Sequence, residues 1–87
     1  MTVLEQILET FPDQDFLRMD GLDEAIIGVD ARSNLLIYSL TLIQDVLMDK
    51  YEMSAIDAIE YYSFNILGAW VGERTPIICD DTMIELL

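Results

Sequence analysis

The chain has no histidine, one cysteine, two prolines and four lysine or arginine residues in all. Without imidazole, no side chain titrates unaided near neutral pH as a general acid or base. With a single thiol besides, neither a Cys/His zinc set nor a Ser/His or Cys/His nucleophile pair can be assembled. Cys79 alone excludes an internal disulfide, which fits a reducing compartment and leaves it the role of a small apolar strand residue. Long apolar runs are also missing. The longest nearly apolar stretch, Leu35 to Ile43, ends at Gln44 and Asp45, well short of the roughly 20 residues that cross a bilayer. Glu5 and Glu9 stand where a signal peptide would be basic and then apolar, so a cytoplasmic protein with no membrane partner is expected. The cations Arg18, Arg32, Lys50 and Arg74 are scattered singly and form no basic patch. Direct binding to nucleic acid therefore fails on sign, and anionic lipid headgroups are repelled in the same way.

What the chain has is acid and apolar surface together: seventeen Asp and Glu, a formal charge of −13, and 53% hydrophobic residues. Disorder requires high charge with few apolar residues, so this pairing implies a folded core inside a negative surface. The 87 residues make one domain, because a chain of this size buries only about 60% of its unfolded surface and cannot divide its core. Within it, residues 1–19 read as an amino-terminal helix and its connection, 20–80 as an α+β core, and 81–87 as a carboxyl-terminal tail. Excess surface charge of one sign serves either solubility or attraction to a positive surface, and nucleic-acid-binding proteins supply the commonest of these.

Thr2 and Glu5 have capping-box spacing, and Val3, Leu4, Ile7, Leu8 and Phe11 then share one side of a helix that ends before Pro12. Asp20-Gly21 is a turn signal; Ala25–Val29 and Leu35–Tyr38 read as a hairpin around Asp30–Asn34, with Gly28 marking a bulge or a close backbone approach. Ser39 caps a second helix reaching about Tyr51, with Leu40, Ile43, Val46, Leu47 and Tyr51 inward and Asp45, Asp49 and Glu52 in line on the opposite side. That row is either a solvated face or a run of anionic contacts.

Ser54 and Asp57 begin a third helix whose inward set is Ala55, Ala58, Ile59, Tyr62 and Ile66. Tyr61, Phe64 and Leu67 make its other face apolar as well, so cover by the first helix or the carboxyl-terminal tail is expected, with a partner interface as the alternative. Gly68 ends this helix in a left-handed conformation, and Thr75–Cys79 follows as a third strand. Asp81 then caps a last turn carrying Met83, Ile84, Leu86 and Leu87. The fold class is α+β: a three-stranded antiparallel sheet, made of the hairpin and one further strand, packed against two or three helices.

Carboxylate groups at Asp13/Asp15, at Asp20/Asp23/Glu24 and at Asp80/Asp81 are the available oxygen ligands for a hard cation, but none has EF-hand spacing. A glycosidase cleft needs more wall than this chain offers. Neither a metal, nor any other cofactor, nor an enzymatic activity is expected.

Two segments carry a resemblance: Asp20–Val29, reading DGLDEAIIGV, and Phe64–Ile77, reading FNILGAWVGERTPI. Together they resemble small acidic proteins of tailed phages and prophages, a family without assigned activity. The likeness spans roughly residues 20 to 78 and departs at Arg74, where the pattern has glycine. It implies a phage context and therefore a bacterial host cell. With the acidity, it leads to an inhibitor that meets a bacterial nucleic-acid-binding protein or complex, an anti-CRISPR or anti-restriction decoy presenting carboxylates in place of phosphates. The contact residues expected are Asp45, Asp49 and Glu52, then Asp20, Asp23 and Glu24. Trp70 is either a core lid or an exposed anchor for the partner, and Glu73, exposed at the tip of its turn beside Arg74, is a further expected contact. The alternative is a structural module that homodimerises through Tyr61 and Phe64 or through Met83–Leu87, its acidity serving only solubility.

Overall fold

Alternation along Leu36–Ser39 sets the centre of the molecule: Leu36 and Tyr38 are fully buried while Ile37 between them is half-exposed. In the computed structural model, which describes residues 2–69 and 72–83, this segment is β2, the middle strand of a three-stranded sheet ordered β1-β2-β3. β1, Ile26–Val29, pairs with it antiparallel, and the register shifts between Ile26 and Gly28. That shift is the bulge expected at Gly28. A Cβ there would meet nothing within 4 Å, so no close backbone approach is involved. The hairpin loop is held by Asp30, whose Oδ2 accepts from the Ser33 amide at 2.8 Å and from its hydroxyl at 2.7 Å. These bonds lower the Asp30 pKa.

The third strand corrects the sequence-based expectation. β3, Ile77–Cys79, lies parallel to β2, with Ser39 opposite Cys79. Two helical elements separate β2 from β3, and a connection of that length carries the chain back to start a parallel neighbour, which a tight turn cannot do. The sheet is thus mixed within an α+β fold.

α1, Val3–Thr10, is capped by Thr2, which accepts from the Glu5 amide, and it ends before Pro12 as its pattern predicts. It packs on β1, buries Leu4 and Ile7, and leaves Val3, Leu8 and Phe11 exposed. Phe11 meets Phe16 edge-on, at a centroid distance of 6.2 Å. α2, Leu40–Asp49, follows β2 directly. Ser39 ends the strand and caps the helix, its Oγ accepting from the Leu42 amide. Leu40, Ile43 and Leu47 enter the core, Val46 is half-buried, and Tyr51 lies exposed beyond the helix end.

α3, Ala55–Tyr61, starts at the Ser54 cap and runs into a π-helical segment, Tyr62–Leu67. Ala58, Tyr62 and Ile66 face inward, whereas Ala55 and Ile59, expected there, are exposed. The wider π turn, with about 4.4 residues against 3.6, places Ile66 in line with Ala58, eight positions earlier. Gly68 follows with φ −83°, so the segment does not end left-handed; the left-handed glycine of this region is Gly72, at φ +107°.

Candidate functional site

Of the described acids, all but Asp30 and Asp81 are exposed, and those two are used by the fold. Asp81 was expected to cap a final turn; the structure puts it elsewhere. Because β3 runs parallel to β2 and ends beside Ser39, the chain just past Cys79 arrives at the amino terminus of α2. There Asp81 Oδ2 accepts from the Ser39 hydroxyl, and Oδ1 accepts from the Thr41 amide at 2.9 Å. These bonds hold its pKa at about 2, below the ordinary carboxylate range, where the positive end of the helix also favours an anion. The local turn after β3 is held instead by Asp80, which accepts from the Thr82 amide and hydroxyl. Ile84–Leu87, expected in that turn, lie outside the described residues.

The acid row expected on α2 is shorter than its spacing suggested. Asp45 and Asp49 are exposed one turn apart, about 6 Å along the axis. The helix ends at Asp49, and Glu52 has φ +57°, so the chain has left the axis before Glu52 is reached. Asp23 and Glu24 occupy a 3-10 turn, Asp23–Ala25, packed on α2. Arg18 lies 3.8 Å from Asp23, and Lys50 lies 3.6 Å from Glu24. Such exposed pairs add only about 0–1 kcal/mol to stability, but each cancels a negative charge in the expected contact surface. Asp20 is exposed and makes no ion pair among the described residues.

Tertiary structure does bring the two acid groups together. The Lys50–Glu24 pair, and a long contact of 3.4 Å from the Tyr51 hydroxyl to the Gly21 carbonyl, join the end of α2 to the turn ahead of β1. Asp20, Asp23 and Glu24 therefore flank the end of the helix bearing Asp45 and Asp49. Glu73 is exposed in its turn, where neighbouring Arg74 reaches Asp15 at 3.5 Å. Trp70 lies outside the described residues.

A groove of about 690 Å³ opens beside this edge, walled chiefly by Met19, Leu47, Met53, Tyr61, Leu67 and Pro76. Its charged lining is Arg18 and Asp20, with Asn65 among the neutral polar groups. The Asn65 amide is already engaged, donating to the Tyr61 carbonyl at 3.2 Å within the helix. Among the described residues no three metal-ligating side chains gather anywhere. The groove walls are suited to receiving apolar side chains.

The outer face of α3 and the π-helical segment was expected to be covered. Ile56 is 71% exposed, Phe64 83% and Leu67 60%, and α1 packs on β1 instead; the other expected cover, the carboxyl-terminal tail past Met83, lies outside the described residues. No family model, curated protein or solved structure matches the chain. Among the described residues no helix is long and apolar enough to cross a membrane.

Proposed function

We propose that this chain is a non-catalytic binding protein that occupies the basic, nucleic-acid-contacting surface of a bacterial protein, acting as an anti-CRISPR or anti-restriction inhibitor. One observation carries this function: nearly every described carboxylate points to solvent, while the few cations are largely engaged with acids. The folded chain therefore presents a strong negative field with little to offset it, and a site adapted to phosphodiester charge, about one per 1.7 Å of duplex axis, attracts such a field. The phage context implied by the Asp20–Val29 and Phe64–Ile77 segments supplies the class of target. Asp20, Asp45 and Asp49, exposed and without an ion pair among the described residues, are the strongest contact candidates; Asp23 and Glu24 contribute less because Arg18 and Lys50 accompany them.

The test is competition. Increasing protein should displace a labelled DNA duplex from a Cas or restriction nuclease, with an affinity that falls steeply with salt. Combined Asp20→Lys, Asp45→Lys and Asp49→Lys should weaken it at least about tenfold. Inhibition untouched by that triple reversal would remove the charge-based function.

The exposure of Tyr61 and Phe64 favours a second function, a homodimeric assembly module. Sedimentation separates the two: a tight dimer whose formation ignores salt supports assembly, and a salt-independent monomer supports inhibition.

A further inference from the structure

We propose that the outer stripe of α3 and the π-helical segment, centred on Phe64, is a docking face for a basic amphipathic helix of the partner protein. This deepens the binding function above and rests on it. Ile56 and Phe64 are eight residues apart, as are Ile59 and Leu67. The π segment begins at Tyr62, so Ile59 to Leu67 spans about one α turn plus one π turn, roughly 3.6 plus 4.4 residues, and that pair is stacked along the axis, with Ile56 and Phe64 exposed on the same side. A regular α-helix would rotate the second member of each pair well away from the first. The π turn therefore aligns one apolar stripe outward while it aligns Ala58 and Ile66 inward.

Those four side chains expose roughly 550 Å² of apolar surface, near the top of the 300–600 Å² range for the largest patch on a monomer and about two thirds of what each partner buries in a standard interface. Leu67 also walls the groove beside Tyr61, so an apolar side chain of the incoming helix can anchor there.

Charge selects the occupant. Asp57 and Glu60 lie on the same helix as the stripe, and both are exposed. A second copy would bring the same acids and another charge of −13 to the interface. A helix with an apolar seam and lysine or arginine on its flanks matches both the stripe and its acidic border.

The probe is a synthetic amphipathic peptide of about five turns, with leucine on one face and lysine on the other. A control peptide has every leucine replaced by serine. Binding is followed by anisotropy of the labelled peptide at about 50 and 300 mM salt. The leucine/lysine peptide should bind and the serine/lysine control should bind at least about tenfold more weakly. Phe64→Ser should weaken binding by about 10- to 30-fold, with thermal stability unchanged because the side chain is exposed. Asp57→Asn with Glu60→Gln should cost a few-fold and lessen the salt dependence, whereas Glu9→Gln, an exposed acid on α1, should change affinity by less than about threefold.

Equal binding of both peptides, indifference to Phe64→Ser, or a dimer in sedimentation that Phe64→Ser dissolves would each overturn the proposal. Failure of the DNA competition with peptide docking intact would instead remove the inhibitory function and leave the docking face standing.

Discussion

Replacing Asp81 by alanine removes two bonds at once, to the Ser39 hydroxyl and to the Thr41 amide, and takes a negative charge from the amino terminus of α2. The carboxyl sits at a pKa of about 2 against an ordinary value of 3.8. At about 1.4 kcal/mol per unit that difference sets an upper bound near 2.5 kcal/mol. The group is solvent-accessible, so screening reduces this to about 1–2 kcal/mol, the range measured for other helix caps. Because the folded pKa is the lower one, the contribution is complete above the ordinary carboxylate range and is lost as pH falls from about 4 through 2. Asp81→Ala should therefore unfold about 1–2 kcal/mol more easily in urea at pH 7, equivalent to roughly 5–15 °C in Tm for a domain of this size. The two proteins should converge as the solution approaches pH 2. Comparing them at each pH cancels the general relief of repulsion as the other carboxylates protonate. Asp81→Asn keeps an acceptor for Thr41 and loses only the charge, so it should show a smaller deficit. A difference between wild type and Asp81→Ala that stays constant from pH 7 to pH 2 would refute the charge-based account, and a deficit below about 0.3 kcal/mol would refute the cap itself.

Four further outcomes follow from the same geometry. Raising salt from about 20 to 300 mM should raise Tm by several degrees, because the −13 surface repels itself; an unchanged melt would mean the acids are too dispersed to form a strong field. Gly21→Ala should cost about 1–2 kcal/mol in chemical denaturation, since Gly21 has φ +78° and a new Cβ would collide with the Tyr51 hydroxyl. Gly28→Ala, in open space at the bulge, should stay within about 0.5 kcal/mol. Tyr38 has its pKa raised above 10 mainly by burial, and its hydroxyl oxygen accepts from the Met19 amide at 2.8 Å. Its folded pKa is the higher one, so stability holds below pH 10 and falls as alkali ionises the phenol. Burial and the Asp80 charge raise the Tyr62 pKa as well, so ultraviolet titration should show two tyrosines ionising late, and Tyr38→Phe should remove one of them together with its share of the alkaline unfolding.

Much of the fold is local chemistry and was legible from residues alone. Thr2, Ser39 and Ser54 cap helices because a hydroxyl three positions ahead of a free amide satisfies it wherever the chain lies. Alternation and turn residues likewise specify the hairpin and its bulge at Gly28. The acidity, too, is a property of the sequence. What pairs at long range was not legible. Whether β3 runs parallel or antiparallel to β2 depends on where two intervening helices set the chain down, and periodicity carries no such information. Asp81 follows from that choice: only a parallel β3 ends at the start of α2 and turns a tail residue into its second cap. The acids tell the same story. Sequence spacing put Glu52 in line with Asp45 and Asp49, but a left-handed residue past the helix end broke the row. Packing then brought Lys50 to Glu24 and joined two separate acid groups into one edge. The outer face of α3 was apolar by composition; that it stays uncovered among the described residues was decided by α1 choosing β1 as its neighbour, a competition between burial sites that only the assembled fold resolves.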